Sequence, residues 1–195
     1  MLKKLALIAI FAVSAFAMHS AEVNINDTDL EISAKADLGQ FNYNIEPNTT
    51  FLGFRIVDAD DSHGPKNGYK NDPYYEVNFL MRQALSSSGL SVGMGVKFNY
   101  TTDFSSVPLG LEATYKIPAD AFVPMFINGS LYYGPRVLSF GSADRYYEYR
   151  LSYDIQLISN GEVTIGYRSM HTNYTDVRGD YTYNEALYFG FKFLF

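Results

Sequence analysis

The last nine residues of the chain alternate without a break. Leu187, Phe189, Phe191, Phe193 and Phe195 take every second position, with Tyr188 and Gly190 among the residues between them. A period of two puts the five apolar side chains on one face of a β-strand. The same period runs through much of the sequence. Leu90–Tyr100 alternates throughout, apolar on even numbers and polar or small on odd, and Val107–Ile117 and Tyr147–Leu157 do likewise. Weaker versions cover Leu30–Leu38, Leu52–Val57, Tyr75–Gln83, Val123–Tyr133 and Glu162–His171. No helical period competes with them after the leader. The longer segments have about the length that a tilted strand needs to cross a bilayer.

Alternation alone does not say which face turns outward, since a soluble barrel can wrap its apolar face around a ligand. Charge decides it. The apolar phase of these segments carries no Asp, Glu, Lys or Arg, whereas the other phase carries both signs. Its bases are Lys35, Arg55, Arg82, Lys97, Lys116, Arg150, Arg168 and Lys192; its acids are Glu31, Asp37, Glu76, Glu112, Glu148, Asp154 and Glu162. A charge-free face of Leu, Val, Met, Ile, Phe and Tyr suits lipid, which sends the charges to the lumen. The reading is an all-β, antiparallel transmembrane β-barrel of 8–10 strands, one domain over residues 18–195. Ten strands are favoured if Glu22–Asn26 and the turn Asp27–Asp29 open the barrel. Eight result if Leu30–Leu38 instead folds into or over it.

The ends of the chain agree. Met1–Lys4 is a positive n-region, Leu5–Val13 an apolar stretch too short to span, and Ala15–Ala17 a small-residue cleavage site. Residues 1–17 therefore read as a signal peptide. Its removal takes Lys3 and Lys4, so the net charge of -6 falls to -8. The terminal strand, with Tyr188, Gly190, Phe193 and Phe195, looks like the signal by which the barrel-assembly machinery recognises outer-membrane proteins. Connections alternate in length: Ser86–Gly89, Pro118–Ala121 and Ile158–Gly161 are tight, whereas Asp58–Pro73, Gly134–Tyr146 and Thr172–Asn184 are long and polar, and Thr101–Ser106 is intermediate. Short periplasmic turns and longer external loops follow the outer-membrane rule. Tyr75, Tyr100, Tyr115, Tyr133, Tyr147 and Tyr167 sit near strand ends, where interfacial aromatic girdles lie.

An acidic mature chain has no electrostatic case for nucleic acid. The absence of cysteine excludes disulfides, thiolate metal sites and a cysteine nucleophile. No cofactor is implied. Asp58, Asp60 and Ser62 have the spacing of calcium-loop ligands, but His63 holds the place of the turn glycine and Tyr69 that of the bidentate Glu, so no metal site is assigned. Arg178–Asp180 spells an adhesion tripeptide that a Gly-Asp turn makes readily. Balanced lumen charges with inward Phe122, Phe126 and Tyr132 predict a closed or very narrow barrel, with a narrow channel as the alternative. An enzyme reading centres on Ser169, His171 and Glu185, all on the lipid-facing phase near the last external loop. If that loop closes a regular hairpin, Glu185 lies opposite His171 and completes a nucleophile, base and orienting carboxylate. The set resembles the PagL lipid A deacylases, in which a His, a Ser two residues on and a later Glu act at the outer surface. Here Asn173 holds the place two residues after His171, so Ser169 would have to serve from the other side.

The start Asn24–Thr28, the strand Ile165–Ser169 and the finish Leu187–Phe195 resemble the YfaZ family of bacterial outer-membrane proteins, over essentially the whole mature chain. The resemblance implies a small monomeric outer-membrane barrel among lipids and lipopolysaccharide. It brings no activity and no catalytic residues.

Overall fold

The computed structural model describes residues 19–59, 72–85, 89–118, 123–175 and 180–195. Residues 1–17, read above as a signal peptide, lie outside them. The strands are β1 (Ser20–Ile25), β2 (Leu30–Asp37), β3 (Thr50–Asp58), β4 (Tyr74–Leu85), β5 (Leu90–Tyr100), β6 (Phe104–Ser106), β7 (Leu109–Lys116), β8 (Met125–Gly134), β9 (Ser139–Gly141), β10 (Ala143–Ile158), β11 (Gly161–Tyr174) and β12 (Asp180–Leu194). All but the short β6 and β9 form one closed antiparallel barrel of ten strands, each paired with the next along the chain. Closure comes from β1 against β12, with Ser20 opposite Leu194 and Ile25 opposite Phe189. The short first strand expected over Glu22–Asn26 is therefore real and supplies the tenth stave.

The seam is held at its end by backbone bonds of 3.0 Å exchanged both ways between His19 and Phe195. The His19 ring stacks on Phe41 and tilts against Phe195. His19 and Phe195 thus lie at one end of the barrel, the proximal end, where β4, β7 and β10 finish and β5, β8 and β11 begin. Strand partners followed sideways from Ile25 run through Phe189, Ile165, Tyr153, Ile127 and Tyr115 to Leu90. That line begins at the distal tip of β1 and ends at the proximal end of β5, so the strands are tilted, as closure requires.

The two phases face opposite sides. Met94 (72% exposed), Leu187 (68%), Leu111 and Leu131 (60% each) stand outside. They join a belt that runs from Val23 on β1 to Phe193 on β12. A continuous apolar surface of this extent is a lipid-facing surface, since a monomer in water rarely carries one. The charged phase points inward: Lys35 on β2 pairs with Glu112 on β7, and Arg55 on β3 with Glu148 on β10. These strands are not neighbours, so the pairs span the interior.

The distal connections differ from the expectation. β10 begins at Ala143 and β9 forms inside the expected loop Gly134–Tyr146, while β6 forms inside Thr101–Ser106 and pairs with β9. β11 runs on to Tyr174 and β12 starts at Asp180, so the expected loop Thr172–Asn184 contracts to residues 175–179. Above the lipid level neither phase needs to be apolar. Alternation fades there while the backbone ladder continues. At the proximal end one connection is long, residues 38–49 between β2 and β3. Asp37 organises it, accepting from the backbone of Gly39 at 3.0 Å and Asn48 at 2.7 Å.

Candidate functional site: the barrel interior

Three layers fill the interior. The distal layer is aromatic. Val57, Tyr74, Phe104, Tyr146, Met170, Tyr174, Tyr181 and Tyr183 form one buried cluster. It grows from the same inward phase as the charges below it, since Val57 follows Arg55 by two residues, Tyr74 precedes Glu76, Tyr146 precedes Glu148 and Met170 follows Arg168. The Tyr74 and Tyr146 hydroxyls lie 3.1 Å apart and donate downward to Glu76 (3.0 Å) and Glu148 (2.9 Å). Tyr183 donates to the backbone carbonyl of Asp72.

The middle layer is an ion-pair network. Arg55 reaches Glu76, Glu148 (2.7 Å) and Glu31 (3.7 Å). Lys97 reaches Glu148 (3.1 Å) and Glu76 (3.4 Å) and lies 3.9 Å from the centre of the Tyr132 ring. Arg150 and Arg168 both grip Glu31, and Arg168 also faces Asp29 at 3.7 Å. Glu31, Glu148 and Arg168 are almost wholly removed from solvent. Charges this deep are tolerable only because each meets a partner of opposite sign.

The proximal layer is a water-accessible vestibule of about 570 Å³, whose floor is the ion-pair network and whose rim reaches Ser20, Gly89 and Leu194. Its remaining charges are less entangled. Lys35 pairs with Glu112, which also accepts from Tyr132 at 2.7 Å. Lys192 serves Asp154 and Glu162. Arg82 stacks on Phe51, donates to Asn48 and has no carboxylate in salt-bridge contact among the described residues. Lys116 is exposed at the rim.

Glycine makes the interior fit. Any Cβ on Gly110 would meet the Tyr132 ring, and one on Gly166 would meet the ring of Tyr188. Tyr188 is 1% exposed, buried inside the barrel with the Arg150 and Arg168 guanidinium groups 5.1 and 5.7 Å from its ring centre. Gly190 similarly leaves room for the Asn24 side chain. Of the terminal-strand residues singled out above, Tyr188 and Gly190 thus pack inward, while Phe193 stacks on Phe195 at 5.9 Å outside.

The outer face of the last hairpin departs from the expected triad. Ser169 Oγ and His171 Nε2 do lie 2.7 Å apart. Glu185, however, stands opposite Ser169 in the unbroken register that runs from Gly161 and Phe193, and a bulge between Met170 and His171 sets Thr182 opposite His171. Tyr183 is the extra residue, turned inward to join the aromatic cluster. Glu185 therefore does not face His171. Its carboxylate accepts from Tyr167, while His171 Nδ1 meets Thr182 Oγ1 at 3.1 Å and the ring stacks on Tyr147. Ser169 is fully buried. The ladder runs on past Thr172 and Asn184 to Asn173 opposite Asp180, so those expected loop ends do not set the register of the hairpin.

Other expectations fall partly or wholly outside the described residues: Asp60, Ser62, His63 and Tyr69 of the calcium-like loop, Arg178 and Gly179 of the adhesion tripeptide, and Phe122. Phe126 lines the vestibule. Asp29 and Asn184 were missed. Asn184 donates to Asp29 at 2.6 Å and accepts from Arg168 at 2.8 Å, tying the β1–β2 turn to the upper part of β12. Neither residue carries a period-two signal, one sitting in a turn and the other beside a bulge.

A family model described as YfaZ precursor matches residues 2–195. A search of curated proteins finds no match. With the closed ten-stranded barrel and its apolar outer belt in place, that match assigns the chain: this outer-membrane β-barrel protein belongs to the YfaZ family.

Proposed function

We propose that the protein is a closed, non-catalytic outer-membrane barrel whose role is structural or lies in surface interaction. The carrying observation is the pair of stacked layers that crosses the lumen, the aromatic cluster above the Arg55–Glu31–Glu76–Glu148–Lys97 network. The charged groups there pair with partners from other strands and the rings close over them, which leaves no continuous water column. By the outer-membrane rule the proximal end, with His19 and Phe195, faces the periplasm and the distal loops face outward. The vestibule is then a blind pocket entered from the periplasm. Cleavage after Ala17 would leave His19 free to close the seam against Phe195. A hydrolase at Ser169 and His171 is not favoured, because Glu185 is engaged elsewhere and the Ser169 hydroxyl is covered.

Proteoliposome swelling tests this reading. Vesicles carrying the refolded protein should swell in isosmotic arabinose no faster than protein-free vesicles. Rapid swelling would replace the closed barrel with the narrow-channel alternative.

A further inference from the structure

The vestibule is electrically two-sided. In the ten-strand order β1, β2, β3, β4, β5, β7, β8, β10, β11, β12, the strand diametrically opposite β4 is β11, and the one opposite β7 is β1. Arg82 on β4 thus looks across at Glu162 on β11, and Lys116 on β7 across at Glu22 on β1. All four line the cavity. On one arc Lys35, Arg82 and Lys116 stand against Glu112, and Asp37 at the end of β2 also acts on Arg82. On the other, Glu22, Asp154 and Glu162 stand against two cations, Lys192 and Arg150. The cavity as a whole holds charges of both signs, with bases in excess on one wall and acids on the other.

Each wall has one group whose hydrogen bonding is incomplete among the described residues. On the basic wall, Arg82 lies over Phe51, 4.7 Å from its ring centre, and donates to Asn48. Asn48 adopts a left-handed backbone (φ 65°) and is pinned there by Asp37. A guanidinium fixed at one edge, with no carboxylate in salt-bridge contact among the described residues, keeps donors for a planar anion. On the acidic wall, Asp154 is 1% exposed, and its Oδ1 has no hydrogen-bond donor although its other oxygen serves Lys192 and Asn128. A buried carboxylate oxygen without a donor is costly, and because this one is covered an incoming N–H relieves it only where a neighbouring side chain shifts aside.

We propose that the vestibule binds a small zwitterion of the amino-acid or short-peptide class. The ligand carboxylate lies on Arg82 and Lys116, and its ammonium lies among Asp154, Glu162 and Glu22. The volume is that of a small-molecule site. Either charge alone would satisfy one wall and leave the other as it was. The proposal does not depend on the distal end being closed, since the walls are the same in an open barrel.

Calorimetric titration of the refolded full barrel in micelles tests it with three probes: dialanine, N-acetyl-dialanine and dialanine amide. Dialanine should bind, and each capped form, lacking one charge, should bind at least tenfold more weakly. Arg82→Gln should lower dialanine affinity at least tenfold while leaving the weak affinity for dialanine amide unchanged. Glu162→Gln should do the converse, lowering dialanine affinity and sparing N-acetyl-dialanine. Heat-modifiable migration of both variants establishes that they fold. Equal binding of dialanine and N-acetyl-dialanine would reduce the vestibule to an anion site and overturn the proposal. Absence of dialanine binding to the folded wild type would overturn it as well, and swelling assays would still report separately on closure.

Discussion

At the scale of single residues, the interior is governed by pairing and by shape. Arg55 is the hub, contacting three carboxylates from β2, β4 and β10. Arg55→Met removes the cation and leaves those acids facing one another. The expected loss is about 3–5 kcal/mol, read from urea titrations of folding into lipid vesicles. A loss under about 1 kcal/mol would mean that the network is solvated and the lumen wet. Gly166→Ala probes shape, because the new Cβ would drive into the Tyr188 ring. Overpacking there should cost about 1–3 kcal/mol, and most of it should vanish in a Tyr188→Ala background, where the two changes are coupled. Simple additivity of the two would show that Tyr188 does not lie over Gly166. Which residues face inward could be read from alternation, since a charge on a strand flanked by apolar neighbours has one place to go. Which charges meet could not be, because Arg55 and Glu148 are brought together only by closure of the barrel.

At the scale of strands, the central portions were legible and the ends were not. Met94 lies on the even, apolar phase of β5 and is 72% exposed. Lys97, three residues on, is buried against Glu76 and Glu148. Period two survives wherever one face meets lipid and the other does not. It fails at Ala143–Tyr146, Thr172–Tyr174 and Asp180–Asn184, where the strands continue beyond the lipid level, and at the β12 bulge, which no residue pattern announces. Because β11 and β12 continue past the expected loop ends, their ladder keeps the register that pairs Glu185 with Ser169 rather than with His171. Met94→Arg should therefore cost about 2–4 kcal/mol in folding titrations; a neutral result would reverse the assignment of inside and outside. Deletion of Phe195 removes one partner of the seam bonds to His19. In cells it should lower outer-membrane levels more than it lowers the stability of refolded protein. Unchanged levels would refute the role of the terminal strand in assembly.

At the scale of the whole molecule, ten tilted strands enclose a lumen whose contents change with depth: aromatic at the distal end, ion-paired in the middle, solvated at the proximal end. Small barrels fill with their own side chains because the staves leave little width to spare. Here the filling is uneven, and the unfilled part has bases in excess on one wall and acids on the other. As proposed above, no water-filled path runs from one end to the other. Single-channel recording in planar bilayers, with the refolded full barrel inserted and its insertion verified by heat-modifiable migration of the same preparation, tests that claim most directly. The wild type should give no stable unitary current at any voltage the bilayer withstands. Reproducible unitary steps from the wild type would contradict it.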